Sequence, residues 1–434
     1  MRQWLRLAPA VVIVAIVAAA FAVAFRVSHA AVVRLLGGAD LVAMIEHAPW
    51  WERLLLPAAG GLGAGLIGLE LARRRGAGGV GYIMEAIVLG RARIPLVRSA
   101  LQAFGAWLAI TTGNSLGREG PLIQMGAASG EAARRVFRLD DATARLVLAA
   151  GVTAGFASAY NAPIAATLFV VEIVTGVLVL EAVVPMLIAT VIATTVTRLA
   201  SGDAPIYGVH DFGTRSPLEL ISFAGLGLVA APLGVGFLRL LSRADVLWRH
   251  LPLPVRPAAG GLACGGVLCA LPLVTGNGLE PLGMLLDGKL AIAAVAWLLV
   301  AKPIATAASV GSGNPGGVFT PTLLLGGCLG TLYAAGMHGL FGDAIGTSGA
   351  YAVVGLAAAL AATTHAPITA AVLACELSGD WRLVLPLLLA CGLAAGLARR
   401  LYIDSVYTAE LTRRGLRWRL TLDGRRVIES AEPS

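Results

Sequence analysis

The stretch Gly117-Arg118-Glu119-Gly120-Pro121 places a carboxylate beside a guanidinium in a part of the chain that is otherwise almost wholly apolar. A charge inside a membrane is costly, so such residues are functional-site candidates by default. The two glycines let a ligand approach the backbone, and Pro121 favours a helix start. A helix start attracts anions, and Glu119 is the natural occupant when no anion is bound. For these five residues alone, a charged loop that closes a salt bridge at the membrane surface is an equal alternative.

The composition is that of an integral membrane protein. Of the 434 residues, 57% are hydrophobic and only 13% are charged, whereas soluble domains carry about 25% charged residues. The net charge of +8 does not indicate a nucleic-acid partner, because the arginines cluster at helix flanks and in the tail. The five cysteines lie in apolar runs without metal-ligand spacing. We therefore expect no nucleic acid, metal or organic cofactor.

Arginines beside the first two apolar runs predict the orientation. The run 8–25 follows Arg2 and Arg6. It is longer than the roughly 7–15 residues of a signal-peptide core, so a retained span is favoured over a cleaved leader. A second span, 54–71, ends at the three arginines 73–75. By the positive-inside rule, this end and the N-terminus are cytoplasmic. We expect the basic C-terminal tail to be cytoplasmic too, near anionic lipid, in the inner or plasma membrane.

The polar loop 201–217 separates the remaining apolar segments into two halves. These segments cover residues 97–112, 122–136, 142–157, 164–180, 183–199, 218–241, 257–273, 290–310, 319–340, 350–363, 368–377 and 384–397. Several are shorter than the about 20 residues that cross a bilayer core. Such broken helices are tolerated only inside protein or along a cavity. We predict a transmembrane domain over 1–400, with repeats at about 8–200 and 217–400. The end of the last helix and a short basic tail follow at 401–434.

Matching motifs support the internal repeat. Residues 161–172 begin NAPIAATL and end in glutamate, and residues 365–376 begin HAPITAAV and also end in glutamate. The segment 316–321 reads GGVFTP and places its proline 200 positions after Pro121. Two copies with short, glycine-interrupted helices at matching places indicate a binding site where the repeats meet, near the middle of the membrane.

Four motifs, in this order, carry a family resemblance: GREGP at 117–121, NAP…E at 161–172, GGVFTP at 316–321 and SVYTAELTRRG at 405–415. Over about residues 54–415 the chain resembles the CLC family of chloride channels and chloride/proton exchangers. The resemblance implies an all-α polytopic membrane protein with two inverted-topology repeats, whose broken half-helices meet at a midplane anion site. It also implies a bacterial-type chain without CBS domains, and a homodimer with one pore per subunit.

The resemblance further implies roles for individual residues. Glu119 matches the external gate, a glutamate that competes with chloride for one site. Tyr407 matches the inner-gate tyrosine, whose hydroxyl is a second anion ligand, although an aromatic near a membrane end is more often an interfacial anchor. Val318 and Phe319 hold the places of backbone amides that ligate chloride. The residues implied to surround the anion are Val80, Gly81, Arg118, Glu119, Gly120, Val318, Phe319 and Tyr407.

Two positions depart from the family pattern. Val80 stands where the family usually has a serine whose hydroxyl ligates the anion. Losing one such hydrogen bond weakens binding by about 0.5–1.5 kcal/mol. Ile173 stands where exchangers often carry an internal proton-transfer glutamate, and it cannot carry a proton. Glu172 matches the preceding, mostly structural glutamate, so Glu119 and Glu172 are the candidates for a proton pathway.

These departures favour one mode of transport. We predict that the chain moves chloride or a similar small anion in a passive, channel-like or loosely coupled way. The alternative is a proton-coupled chloride/H⁺ antiporter, in which Glu172 or water delivers the proton. The expected partners are the anion, H⁺ under the coupled alternative, membrane lipid and a second copy of the chain.

Two rival functions compete with this prediction. Residues 113–117 read GNSLG and match the GxSxG motif of serine hydrolases, with His365 as the base. That motif needs a strand-to-helix turn, and no strand is expected, so the prediction is a protein that is not an enzyme. A secondary transporter for another substrate would also have broken helices, but it does not explain GREGP and GGVFTP together.

Overall fold

Helices make up almost all of the fold. The structure is a computed structural model that describes residues 4–73, 78–90, 93–178, 180–214, 216–342, 345–413, 415–420 and 426–430. The first half contains α1 (Trp4–Leu35), α2 (Leu41–His47), α3 (Trp50–Arg73), α4 (Val80–Leu89), α5 (Leu96–Thr111), α6 (Glu119–Val136), α7 (Asp141–Tyr160), α8 (Pro163–Phe169) and α9 (Leu180–Ser201). A π-helical segment (Val170–Thr175) continues α8.

The second half repeats the order of helices α3 to α9. It contains α10 (Glu219–Trp248), α11 (Val255–Ala270), α12 (Leu279–Leu286), α13 (Ile292–Gly311), α14 (Phe319–Phe341), α15 (Ser348–Thr364), α16 (Pro367–Ser378), α17 (Val384–Leu401) and α18 (Thr408–Arg413). Short 3₁₀ turns precede α12 and α17. Within the described residues, eight helices are long and apolar enough to cross a membrane. The prediction of a polytopic helical membrane protein is therefore confirmed.

Equivalent contacts within each half recur at positions 200 residues apart. The amide of Asn114 donates to the carbonyl oxygen of Pro57 at 2.8 Å, and Asn314 donates to that of Pro257 at 3.0 Å. Helices α3 and α11 cross closely because glycines stand at the crossing. A Cβ atom at Gly61 would collide with the carbonyl of Pro257. Small residues allow such close packing of helices within membranes.

Several boundaries differ from the sequence predictions. The apolar segment 164–180 is not one helix, because α8 passes into the π-helical segment and Gly176 ends it with φ of 65°. Helix α1 continues to Leu35, ten residues beyond the predicted run. Helices α2 and α12 were not predicted, since each has only seven or eight residues. Arg74 and Arg75, on which the predicted orientation partly depends, lie outside the described residues.

The C-terminal segment contains the one pair of strands that the structure describes. Strands β1 (Leu416–Leu420) and β2 (Arg426–Ser430) pair antiparallel, with Leu416 opposite Ser430. No strand was expected here, only a basic tail. Alternation of apolar and charged residues in LRWRL is a strand pattern that the count of arginines obscured.

Candidate anion site

A backbone bridge holds the starts of α6 and α14 face to face. The N–H of Gly117 donates to the carbonyl oxygen of Gly317 at 2.6 Å, and the N–H of Gly317 donates to that of Gly117 at 2.8 Å. A Cβ atom at either glycine would collide with the carboxylate of Glu119. Glycine is therefore required on both sides of the bridge to make room for this side chain.

The Glu119 carboxylate occupies the start of α14. It is 2% exposed, and its Oε1 accepts a hydrogen bond from the backbone N–H of Phe319 at 2.9 Å. The hydroxyls of Tyr160 and Thr320 lie 3.3 Å from Oε2 and 2.9 Å from each other. The Phe319 amide and the two hydroxyls surround one negative charge and therefore form an anion site. Another anion can use this site only after the Glu119 carboxylate leaves it.

The two chain neighbours of Glu119 line two different cavities. Its neighbour Arg118 lines a small cavity of about 40 Å³, to which Arg26 and Glu280 also contribute. Its other neighbour, Gly120, lines a large cavity of about 430 Å³, with Val318 among its other lining residues. The buried side chain of Glu119 lines neither cavity, and its two neighbours in the chain line one cavity each.

Four of the predicted ligands line the large cavity. Val80, Val318 and Tyr407 line it, together with Gly120. The ring of Tyr407 packs edge-on against Phe169, with centroids 5.9 Å apart. Phe319 is 2% exposed and packs into the same aromatic cluster. The structure therefore brings these predicted residues together around one path, while their roles as anion ligands remain predictions.

The start of α4 holds a carboxylate that sequence reasoning missed. The N–H of Gly81, predicted to face an anion, donates instead to Oε2 of Glu410 at 3.2 Å. A Cβ atom at Gly79 would lie 3.0 Å from both carboxylate oxygens, so this glycine permits the close approach. Glu410 and Val80 both line the large cavity. The available signal was a carboxylate three positions after Tyr407, inside the SVYTAEL motif.

Glu172 and Glu376 cap each other's repeat. The carboxylate of Glu172 accepts from the N–H groups of Ile368 at 3.2 Å and Thr369 at 2.7 Å, at the start of α16. The carboxylate of Glu376 accepts in the same way from the N–H groups of Ile164 and Ala165, at the start of α8. In the described structure Glu172 thus serves as a helix cap and lines neither cavity.

Ile173 is buried in the core beside that cap, with 6% of its surface exposed. The π-helical segment contains both Glu172 and Ile173. Short π-helical turns within α-helices often occur at functional sites. The proton-pathway role of Glu172 stays a prediction.

The hydrolase alternative finds no support in the geometry. The hydroxyl of Ser115 lies 2.8 Å from that of Thr306, and none of the described hydrogen bonds connects Ser115 with His365. The carbonyl of His365 accepts from Arg399 instead. No group of three or more His, Cys, Asp or Glu side chains in the described part of the chain could hold a metal ion.

A sequence model of voltage-gated chloride channels matches residues 60–399. The chain belongs to this CLC-type chloride channel family. It is 41% identical over 389 residues to a Ralstonia nicotianae protein described as a ClcB-like chloride channel, covering 87% of this chain and 90% of the relative. It is 34% identical over 364 residues to the voltage-gated ClC-type chloride channel ClcB of Escherichia coli, covering 82% and 86%. Membership of the CLC family makes the chain an anion-transport protein and not an enzyme.

Solved CLC structures share the fold. A slow cyanobacterial Cl⁻/H⁺ antiporter superposes with a TM-score of 0.85 at 24% identity, covering 94% of this chain and 98% of that one. A CLC-type fluoride/proton antiporter gives a TM-score of 0.76 at 22% identity, covering 92% and 96%. At this identity the likeness shows the CLC architecture of broken half-helices and repeats, and it carries no statement about which ions move.

Proposed function

We propose that this protein moves chloride or a similar small anion across the membrane, with Glu119 as the gate. The observation that carries the proposal is the hydrogen bond from the Phe319 N–H to the buried Glu119 carboxylate, whose two chain neighbours line different cavities. An anion that replaces the carboxylate meets the same backbone donor and the hydroxyls of Tyr160 and Thr320. Competition for one set of donors makes anion passage depend on where the Glu119 side chain is.

Protonation and displacement open the gate in the same way. A protonated carboxyl group no longer balances the partial positive charge at the starts of α6 and α14, so an anion takes that place. The backbone of the bridge lies so close to the Glu119 carboxylate that a Cβ atom at either glycine would collide with it. Carboxylate and anion therefore compete for the space beside this bridge. On the other side, Tyr407 lines the large cavity and serves as the second gate that the family resemblance implies.

A passive or loosely coupled mode is the favoured form of this transport. Tight exchange needs a titratable relay between the large cavity and Glu119, and Ile173 supplies none. Glu172 is engaged as a cap, because both its oxygens accept hydrogen bonds from the start of α16. Moving a proton through Glu172 would release that cap. Names of the relatives include both chloride channels and antiporters, so the coupled mode is the alternative.

Liposomes that contain the purified protein separate the two modes. A chloride gradient is imposed, and chloride efflux and proton movement are recorded together. Passive transport predicts chloride efflux that needs a counter-ion pathway and moves no protons uphill. Sustained uphill proton movement at a fixed ratio to chloride contradicts the passive mode and establishes the antiporter.

The protein is further proposed to act as a homodimer with one pore per subunit. Ile164 and Ile368, at the capped starts of α8 and α16, are 48% and 50% exposed. The capping carboxylates Glu172 and Glu376 are themselves partly exposed. Charged groups exposed to lipid are costly. A second copy that covers the starts of α8 and α16 would shield these two carboxylates from lipid. We place the protein in the inner or plasma membrane with cytoplasmic termini, as the arginines after α3 indicate.

A further inference from the structure

A second group of polar side chains surrounds the small cavity. Arg26 comes from α1, Arg118 from the GREGP stretch and Glu280 from the first turn of α12. His29 and Asn277 complete the polar part of the lining. Distant parts of the chain therefore bring two guanidinium groups and one carboxylate to a space of about 40 Å³.

Three nitrogen atoms of the two arginines have no hydrogen-bond acceptor among the described residues. Nε and Nη2 of Arg26 and Nε of Arg118 are buried without a partner among the residues that the structure describes. The one described bond of the Arg118 guanidinium is long, from Nη2 to the carbonyl oxygen of Ala159 at 3.5 Å. Both guanidinium groups line the same small cavity, so their like charges repel each other. Buried charged donors without acceptors are costly, so an acceptor inside the cavity would stabilise this arrangement.

Size and charge define that acceptor. A space of about 40 Å³ holds a water-sized particle, which needs roughly 10–15 Å³ by this measure, but not an organic anion. Among the residues that line the cavity, Arg26 and Arg118 contribute two positive charges and Glu280 one negative charge, so the lining carries one excess positive charge. The Nδ1 atom of His29 is already 2.9 Å from the Thr111 hydroxyl. A small inorganic anion with a single charge satisfies both requirements.

We infer that the small cavity is an outer binding site, in which Arg26 and Arg118 hold chloride or a similar small anion before it reaches Glu119. The inference rests on the proposed function and adds a second site to it. Because Arg118 lines the cavity and directly precedes Glu119 in the chain, the anion passes from one site to the other over a single residue. Glu280 opposes the anion and keeps the outer site weak enough to release it.

The test uses charge changes of opposite sign in the same cavity. Uptake of labelled chloride into liposomes is measured against external chloride for the unaltered protein, Arg26→Gln and Glu280→Gln. Arg26→Gln should raise the half-saturating chloride concentration about tenfold, since it removes charge-assisted hydrogen bonds. Glu280→Gln should lower that concentration severalfold because it removes a repulsive charge. The maximal rate should change less than twofold in both. Damage to the fold alone would move both variants in the same direction and lower the maximal rate.

Two further variants complete the test. Arg34→Gln removes the same charge from an exposed position on α1 and should leave the half-saturating concentration unchanged. Arg26→Lys keeps the charge and should restore at least part of the affinity. If the unaltered protein takes up chloride while Arg26→Gln and Glu280→Gln both behave like it, the cavity holds only water and this inference fails. If the unaltered protein takes up no chloride, the proposed function itself fails.

Discussion

The carboxylate of Glu119 accepts a hydrogen bond from the backbone N–H of Phe319 at 2.9 Å, across 200 positions of sequence. Glu119 is the first residue of α6 and Phe319 is the first residue of α14. The bridge between Gly117 and Gly317 brings these two helix starts together. Neither repeat can build this site alone, because one supplies the carboxylate and the other supplies the amide.

The missing hydroxyl at Val80 gives the first prediction. Val80→Ser places a hydroxyl donor on the wall of the large cavity at the start of α4 and should tighten chloride binding severalfold, by about 0.5–1.5 kcal/mol. Val80→Ala is the matched control, since it also removes volume but adds no donor. Calorimetric titration with chloride measures both. Equal affinities in the two variants would mean that the hydroxyl does not reach the anion, or that water already takes its place.

A second prediction concerns Glu410, whose carboxylate accepts from the Gly81 N–H. An anion cannot use this N–H while the carboxylate is there. Glu410→Gln should therefore tighten chloride binding severalfold, and Glu410→Ala should do so at least as strongly, as measured by calorimetry. Asp404→Asn, which removes the same charge from the wall of the same cavity, is the control. Weaker binding in both Glu410 variants, or an equal gain in Asp404→Asn, would rule out direct competition.

How far the sequence predicts the site depends on whether a residue acts through a local motif. Glu119 and Phe319 were predictable because each begins a helix within a glycine- and proline-marked stretch. The contact of Glu410 with Gly81 was not, since it joins residues 329 positions apart and no local pattern reports such a contact.

The same distinction explains the errors in the fold. Long apolar runs identified most helices correctly. The seven-residue α2 is too short to show a hydrophobic period, and the π-helical segment that presents Glu172 to α16 is indistinguishable in sequence from continued helix. Arg26 and Arg118 both line the small cavity but lie 92 positions apart. No local sequence pattern predicts that they share a cavity.

The reciprocal caps predict matched losses of stability. Glu172→Ala leaves the first N–H groups of α16 without an acceptor, and Glu376→Ala does the same for α8. Each should cost about 1–2 kcal/mol, seen as a lower midpoint of thermal unfolding in detergent. Glu46→Ala at an exposed position of α2 is the control. A midpoint in Glu172→Ala equal to that of the unaltered protein would contradict the capping role and reopen the proton-pathway role of Glu172.

The most direct test of the account is the pH dependence of anion efflux from liposomes that carry Glu119→Gln. Glutamine imitates the protonated carboxyl group, so the variant should conduct without any need for protonation. The account predicts that efflux through the unaltered protein varies with pH, while efflux through Glu119→Gln persists and no longer varies. Glu119→Ala should behave like Glu119→Gln, because it removes the competing group. Unchanged pH dependence in either variant would contradict the central claim that the carboxylate of Glu119 gates the path.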